Sequence, residues 1–242
     1  MEIVGVIPVR YASSRFPGKA LADICGKPMI IRVYEQAAMA STLAEVVVAT
    51  DDERIVATCA KFEIKTILTD DSIAFMTERV YAASKLIQAD AYYCIPGDEP
   101  LVSSIAIDAV AKAYLSNPVY DVVHAVGDVA DATEAIDYTN LKVVSTKDNE
   151  CIYISRSPIP YPKGTLEFNY RKLVCGCIFS KNGLDFFHKT SKGVLENAED
   201  CDIVRFIEHG RKVLLVTVND KTLSVDTPKD LERVRSMWRD TT

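Results

Sequence analysis

The sequence predicts an α/β protein built on a doubly wound, mostly parallel sheet. Short runs of apolar and β-branched residues alternate with amphipathic segments of helical length, and the alternation continues from residue 2 to residue 96. This pattern is typical of βαβ units whose helices cover both faces of a parallel sheet. Because ligands bind at the carboxyl edge of such sheets, we expect the functional side chains to follow the strands.

The first half of the chain contains four predicted strands and three predicted helices. The strands are EIVGVIP (2–8), AEVVVAT (44–50), IKTIL (64–68) and AYYCIP (91–96). The helices are PMIIRVYEQAAMA (28–40), DERIVATCAKF (52–62) and TERVYAASKLIQ (77–88). Pro28 stands where the first helix begins, and Asp51 or Asp52 is placed to cap the second, since proline and aspartate favour helix N-termini.

After residue 120 the pattern changes to longer strands joined by polar turns: DVVHAV (121–126), LKVVST (141–146), CIYIS (151–155) and LVCGCIFS (173–180). A helical segment (198–210) and a strand (212–218) then restore the α/β character, and a strand ending at Asp226 precedes a last helix opened by Pro228. No linker or repeat marks a boundary. We interpret residues 120–180 as a mixed-strand region inserted in a single domain, 1–242.

The composition excludes several classes of partner. The formal net charge is −6 over 242 residues, so we expect neither nucleic acid nor an anionic membrane surface as a partner. No apolar run is long enough to span a bilayer and the N-terminus lacks signal-peptide features, which favours a cytoplasmic location. The seven cysteines are scattered and odd in number, as expected of free thiols in a reducing compartment.

The CGC sequence at Cys175 and Cys177 could be read as half of a metal or redox site. No second cysteine or histidine pair has ligand spacing, so we interpret both as packed residues. Two residues that are two apart on a strand point to the same face, and we expect this of the pair.

The loop after the first strand carries three cations, Arg10, Arg15 and Lys19, in an otherwise acidic protein. Gly18 and the small residues 12–14 allow a close approach of backbone N–H groups, so the loop could cradle phosphate oxygens that the cations neutralise. A solvated basic loop is the alternative. The loop matches neither a Walker A sequence nor G-x-G-x-x-G, which argues against a P-loop ATPase and a dinucleotide oxidoreductase.

Carboxylates follow two other predicted strands. Asp98 and Glu99 end an apolar strand, where an acidic pair is costly unless it binds a cation or accepts hydrogen bonds. Asp226 precedes Pro228 and could be a simple N-cap. Asp98 and Asp226 together form a candidate pair of ligands for Mg²⁺, which binds one or two carboxylates plus substrate phosphates.

The chain resembles the 3-deoxy-manno-octulosonate cytidylyltransferases, also called CMP-Kdo synthetases. The resemblance is carried, in this order, by IPVRYASSRFPGKAL, GKPMI, VVVATDDERI, TERV, GDEP, YISRSPIP and VDTPKDLERVR. It implies a doubly wound nucleotidyltransferase fold of the GT-A-like type and a homodimer formed through the inserted mixed-strand region. It also implies transfer of CMP from CTP to an acidic keto sugar, with release of pyrophosphate, for lipopolysaccharide assembly.

The resemblance also implies roles for individual residues. On the nucleotide side it assigns the CTP phosphates to Arg10, Ser13, Arg15 and Lys19, and the nucleotide pocket to Arg79. It makes Asp98 and Asp226 the Mg²⁺ ligands, and the catalytic set is then Lys19, Arg10, Asp98 and Asp226. On the acceptor side it implies Arg156 and Asp202.

Several departures from the family pattern fall on the acceptor side. Pro96 replaces a glutamine, Asp202 and Ile203 replace glutamate and glutamine, and Leu173 or Val174 stands where a polar residue is expected. The family's QSGTER is IAFMTER here. Each unmade buried hydrogen bond costs about 1 to 3 kcal/mol, so the acceptor could instead be a modified octulosonate, another sugar acid or a phosphonate. An alternative of another class is a catalytically silent nucleotide-binding protein.

Overall fold

The computed structural model describes residues 1–13, 15–165, 168–220 and 222–239. The strands are β1 (Ile3–Val9), β2 (Asp23–Ile24), β3 (Lys27–Pro28), β4 (Glu45–Thr50), β5 (Thr66–Leu68), β6 (Ala91–Cys94), β7 (Val122–Asp128), β8 (Lys142–Ser145), β9 (Cys151–Ser155), β10 (Arg171–Ser180) and β11 (Val213–Thr217). The helices are α1 (Met29–Ala38), α2 (Glu53–Ala60), α3 (Met76–Ser84), α4 (Ser104–Ser116), α5 (Ala132–Ile136), α6 (Lys181–Lys189), α7 (Val194–Glu199), α8 (Asp202–Glu208) and α9 (Pro228–Arg239).

The central sheet has the strand order β11-β7-β10-β6-β1-β4-β5. All of these strands are parallel except β10, which runs antiparallel to both β6 and β7. The start of β10 also pairs with β8, which in turn pairs with β9. The predicted mostly parallel α/β sheet is therefore confirmed, and β7 and β10 of the mixed-strand region lie inside the central sheet.

Helices cover both faces of the sheet, as a doubly wound fold requires. One face packs against α1, α2, α4 and α9, with Ile30, Val110 and Trp238 in its core. The other face packs against α3, α6 and α8 around Val80, Leu184 and Phe206. Alternate residues of β1 enter the two cores, because successive side chains of a strand point to opposite faces. Within the described ranges, no helix is both long enough and apolar enough to cross a membrane.

The predicted helix starts are mostly confirmed. Pro28 immediately precedes α1, and the side chain of Asp52 accepts a hydrogen bond of 2.9 Å from the Arg54 N–H at the start of α2. The prediction that Asp226 ends a strand is wrong, since residues 222–226 have no regular secondary structure. At the start of α9, the Thr227 hydroxyl accepts from the Asp230 N–H. Thr227 therefore caps this helix, and the side chain of Asp226 is not needed as its N-cap.

The segment 198–210 is not the single helix that its apolar pattern predicts. Asp200, with a φ of 46°, and Cys201 separate α7 from α8. The Arg156 guanidinium donates to the carbonyl oxygens of Glu199 and Asp200, which an uninterrupted helix would use internally. A long-range contact, absent from local periodicity, therefore stabilises the interruption.

The prediction that Cys175 and Cys177 share one face is also wrong. A bulge interrupts β10 between Leu173 and Cys177, and Cys175 and Gly176 have positive φ values of 55° and 77°. The step of four residues along β10 from Leu173 to Cys177 faces a step of only two along β7, so the alternation is broken and the two thiols enter opposite cores. A Cβ at Gly176 would lie 2.1 Å from the Cys94 carbonyl oxygen, which explains the glycine.

Candidate active site

A cleft of about 230 Å³ opens at the carboxyl edge of the sheet, beyond the ends of β1 and β6. It is bordered by the loop after β1, the turn after β6, the segment before α3 and the segment before α9. Its lining residues are Pro8, Val9, Arg10, Ser13, Arg15, Lys19, Met29, Ala74, Phe75, Met76, Arg79, Gly97, Asp98 and Asp226. Seven predicted nucleotide or metal residues are thus brought together, at the edge that the sequence predicts.

The loop after β1 is held in a tight turn around Tyr11. The Tyr11 carbonyl oxygen accepts hydrogen bonds from the N–H groups of Ser13 (3.0 Å) and Gly18 (2.9 Å). Gly18 has a φ of 74°, and a Cβ there would lie 3.0 Å from the Tyr11 ring. On the outer side the Arg54 guanidinium stacks 3.3 Å over the same ring. These contacts hold the loop's cations at the cleft, while Ser14 lies outside the described residues.

Lys19 lies at the centre of the charged end of the cleft. Its ammonium group donates to Asp98 Oδ2 at 2.7 Å, to Asp226 Oδ1 at 3.2 Å and to the Val225 carbonyl oxygen at 3.0 Å. Arg15 also pairs with Asp226, with 3.0 Å between its Nη2 and Oδ1. Two carboxylates that are 128 positions apart (226 − 98) in the sequence therefore converge on one cation.

The carboxylate pair fits the donor set of a hard divalent cation. Among the described residues, no group of three or more histidine, cysteine or acidic side chains could hold a metal. Asp98 and Asp226 therefore provide two oxygen-donor side chains and leave further positions open. This is the arrangement in which Mg²⁺ binds through one or two carboxylates together with substrate phosphates.

Arg79 lines the cleft, and its guanidinium makes three hydrogen bonds to protein groups. It pairs with Asp51 at 2.7 Å, donates to the Ile73 carbonyl oxygen at 2.8 Å and contacts the Thr69 hydroxyl. Arg79 thereby ties the end of β4 to the segment 69–76, which forms one wall of the cleft. A bound ligand would meet an arginine whose position is set in advance.

One wall of the cleft is apolar. Ala74, Phe75 and Met76, the residues that replace the family's polar QSG, line this wall. The Lys192 ammonium lies 3.7 Å from the centre of the Phe75 ring. Sequence reasoning assigned no role to Lys192, because nothing local to residue 192 indicates that it reaches the wall before α3.

Two predicted acceptor residues, Arg156 and Asp202, are absent from the described residues that line the cleft. Arg156 donates to the carbonyl oxygens of Glu199 at 2.7 Å, Tyr138 at 2.9 Å and Asp200 at 3.1 Å. Asp202 accepts from the Thr77 N–H at 3.3 Å, and burial raises the pKa of its carboxyl. Their acceptor roles stay predictions.

A second cavity, of about 670 Å³, adjoins the cleft and shares Arg15 and Asp226 with it. Leu173 and Val174, two of the departures from the family pattern, line this cavity together with Glu99. Glu99 is 8% exposed, and desolvation by burial, with the neighbouring Asp98 charge, raises its pKa to about 7. Sequence reasoning singled out the acidic pair but gave Glu99 no role; the cost of burying an unpaired carboxylate was the available signal.

Comparison with known proteins identifies the family of this chain. A family model described as cytidylyltransferase matches residues 4–212. The 3-deoxy-manno-octulosonate cytidylyltransferase of Bdellovibrio bacteriovorus is 34% identical over 98% of this chain and 98% of its own length. The 8-amino-3,8-dideoxy-manno-octulosonate cytidylyltransferase of Shewanella frigidimarina is 34% identical, covering 96% of this chain and 97% of its own.

Solved structures give the same result. A CMP:2-keto-3-deoxy-manno-octonic acid synthetase complexed with CTP superimposes with a TM-score of 0.96 at 34% identity, covering 100% of both chains. A nucleotidyl transferase from Methanothermobacter, at 14% identity and a TM-score of 0.66, shares the fold alone. With the family model matching most of its length and full-length relatives above 30% identity, this chain belongs to the cytidylyltransferase family, among the 3-deoxy-manno-octulosonate cytidylyltransferases.

Proposed function

We propose that this protein transfers CMP from CTP to an acidic acceptor of the 3-deoxy-manno-octulosonate type and releases pyrophosphate. The observation that carries the proposal is the convergence of Lys19, Asp98 and Asp226 at one point of the cleft. Membership of the family supplies the reaction class. A catalytically silent nucleotide-binding protein would have no need to keep this charged centre intact.

The reaction is a direct displacement at the α-phosphorus of CTP. An acceptor hydroxyl oxygen forms a bond to this phosphorus, the bond to the oxygen that bridges the α- and β-phosphates breaks, and pyrophosphate leaves with that oxygen. The hydroxyl proton is lost to solvent or to a basic group. No covalent enzyme intermediate is required, so the protein's contribution is positioning and neutralisation of charge.

The cations of the loop after β1 supply that neutralisation. Lys19 is only 15% exposed and is held by three oxygens, so its ammonium is already oriented at the centre of the cleft. Arg10 and Arg15 line the outer part, where the β- and γ-phosphates would lie. Preorganised charges of this kind lower the barrier without reorganisation during the reaction.

Asp98 and Asp226 are the residues that would hold Mg²⁺. A bound Mg²⁺ would withdraw charge from the phosphate oxygens and assist departure of pyrophosphate. Lys19 shares both carboxylates in the ligand-free protein, and triphosphate oxygens would offer its ammonium alternative partners. The carboxylates would then be available to the metal.

The second cavity bears on which acceptor the protein uses. The apolar Leu173 and Val174 in the second cavity, and Pro96 beside the cleft's Gly97, favour an acceptor that differs from the parent octulosonate in its hydroxyl groups. A relative that covers this chain almost completely is named for an 8-amino-3,8-dideoxy-octulosonate. A modified octulosonate is therefore the second candidate acceptor.

The proposed assembly is a homodimer, and the proposed location is the cytoplasm. The mixed-strand region exposes the large apolar side chains Ile136, Tyr138, Ile152 and Tyr161, which supports a role in association. All seven cysteines are free thiols, as is usual in a reducing compartment. Light scattering of the purified protein tests the dimer: a mass near twice 26.8 kDa is expected, and a mass near 26.8 kDa would contradict it.

Pyrophosphate release tests the proposed reaction. Each of the four nucleoside triphosphates is supplied with Mg²⁺ and a panel of acids: the parent octulosonate, its 8-amino analogue, other keto-deoxy acids and small phosphonates. We expect release with CTP and an octulosonate. Binding of CTP without release from any pair would instead support the catalytically silent alternative.

A further inference from the structure

The segment 222–226 carries Asp226 to the cleft although it has no regular secondary structure of its own. Two of its contacts involve the site itself: the Val225 N–H donates to the Asp98 carbonyl oxygen at 2.8 Å, and Lys19 donates to the Val225 carbonyl oxygen at 3.0 Å. Val225 is itself fully buried in the core that contains Ile30 and Trp238, and the Asp226 N–H donates to Asp230 Oδ2 at 3.3 Å. The contacts of residues 222–226, rather than pairing with a strand, therefore set the position of Asp226.

Glu99 provides a further attachment of this segment. Its Oε1 lies 3.5 Å from the Ser224 hydroxyl, and the Thr222 side chain also hydrogen-bonds its carboxylate. On the other side its Oε2 accepts from the Cys175 N–H at 3.2 Å, within the bulge of β10. One buried side chain thus links the segment 222–226 to the interior of the central sheet.

The turn after β6 separates the two neighbouring carboxylates. The Glu99 N–H donates to the Pro96 carbonyl oxygen at 3.3 Å, and the Val102 N–H donates to the Glu99 carbonyl oxygen at 3.1 Å. In this turn Asp98 lines the cleft, whereas Glu99 lines the second cavity behind it. The two side chains therefore have different partners and need not have the same role.

We infer that Glu99 is a positioning residue that holds the segment 222–226, and with it Asp226, against the Asp98 turn. The inference rests on the proposed function, because it is Asp226 at the cleft that makes this placement matter for CMP transfer. Glu99 acts through the reach of its side chain and its hydrogen bonds, and it does not itself touch the reacting atoms. Misplacement of a reactive centre by about 1 Å can reduce a rate by roughly 10²-fold.

Glu99→Gln and Glu99→Asp separate reach from charge. Glutamine keeps the length of the side chain, and its amide can accept from the Cys175 N–H and donate to the Ser224 and Thr222 hydroxyl oxygens. Aspartate keeps the charge but is one methylene shorter, so it cannot bridge the same groups. Positioning therefore predicts kcat within about threefold of wild type for Glu99→Gln and a fall of roughly 10²-fold for Glu99→Asp.

Hydrogen exchange of the amides of residues 222–226, measured without nucleotide or metal, gives a readout that is independent of turnover. Exchange should accelerate at least tenfold in Glu99→Asp and stay near wild type in Glu99→Gln, and high Mg²⁺ should partly restore kcat in Glu99→Asp.

Asp108→Ala is the matched control. Asp108 also bridges two segments, accepting from Ser41 and Thr42, but this bridge lies at the amino edge of the sheet. Asp108→Ala should lower thermal stability without changing kcat or the hydrogen exchange of residues 222–226.

The other outcomes overturn the inference. An active Glu99→Asp with an impaired Glu99→Gln would show that the charge of Glu99 is what matters. Equal activity of both variants, or equal loss in both, would show that reach is not decisive. If the wild type releases no pyrophosphate, the proposed function fails, yet the exchange experiment still decides whether Glu99 holds the segment.

Discussion

Replacing Lys19 with methionine removes the cation that joins the two carboxylates of the cleft while keeping the length of the side chain. The exposed fractions of the three side chains are 15% for Lys19, 28% for Asp98 and 30% for Asp226. Breaking a buried ion pair by removing one partner costs about 3–5 kcal/mol, and an exposed pair contributes about 0–1 kcal/mol. The partial exposure places the expected loss between these limits, at about 2 kcal/mol.

For a chain of this size, a loss of about 2 kcal/mol lowers Tm by roughly 4–8 °C, which calorimetry on the ligand-free protein would measure. Without the ammonium, Asp98 loses its ion-pair partner and Asp226 keeps Arg15, so Mg²⁺ alone should raise the Tm of Lys19→Met more than that of wild type. The value of kcat/KM should fall by roughly 10²-fold or more, as for loss of a donor to developing phosphate charge.

The control for this prediction is Lys65→Met. Lys65 pairs with Glu45 at 2.9 Å, but on the exposed amino edge of the sheet, so its loss should change Tm by less than about 3 °C and leave kinetics unaltered. An unchanged Tm together with undiminished turnover in Lys19→Met would refute the reasoning. A Tm that rises with Mg²⁺ equally in wild type and variant would show that Lys19 does not compete for the carboxylates.

Four further predictions concern the metal, the phosphates, the acceptor and a buried histidine. Asp98→Asn and Asp226→Asn should each abolish turnover and weaken Mg²⁺·CTP binding in calorimetry, with circular dichroism unchanged. A near wild-type rate in either variant would show that the substituted aspartate is not a metal ligand. Arg10→Ala should lower kcat/KM by roughly 10²-fold with every acceptor, and an effect confined to one acceptor would assign Arg10 to the acceptor side. The kcat/KM of the parent octulosonate should be lower than that of the best modified acid, by about 1 to 3 kcal/mol of transition-state stabilisation for each unpaired hydroxyl. A clear preference for the parent would show that the apolar substitutions do not set acceptor choice. Burial lowers the pKa of His124 from 6.5 to about 4, so protonation of the unfolded chain removes about 3 kcal/mol of stability as the pH falls from 7 to 4. In urea unfolding, the difference in free energy of unfolding between wild type and His124→Gln should therefore shrink by about 3 kcal/mol over this range. A difference that stays constant with pH would contradict the lowered pKa of His124.

Local patterns in the sequence were sufficient to predict the parallel half of the sheet. The runs around β1, β4 and β6 are apolar on both faces, as strands covered on both sides must be, and their neighbours have helical periodicity. The carboxyl edge then follows from the strand direction. For this reason the sequence alone places the loop with Arg10 and Lys19 and the turn with Asp98 at one site.

The tertiary structure decided what depends on contacts between distant segments. The bulge at Cys175 brings Gly176 against the Cys94 carbonyl group, Arg156 stabilises the interruption between α7 and α8, and Asp226 reaches the cleft on a segment without secondary structure. No local periodicity encodes these features, since each depends on partners far away in the chain. The sequence alone thus determined the fold class, the family and the edge that bears the site, because these follow from side-chain alternation and short motifs. Only the folded chain decided that Lys19 joins Asp98 to Asp226 and that Glu99 stands behind them, because such contacts form only when packing brings remote carboxylates and cations together.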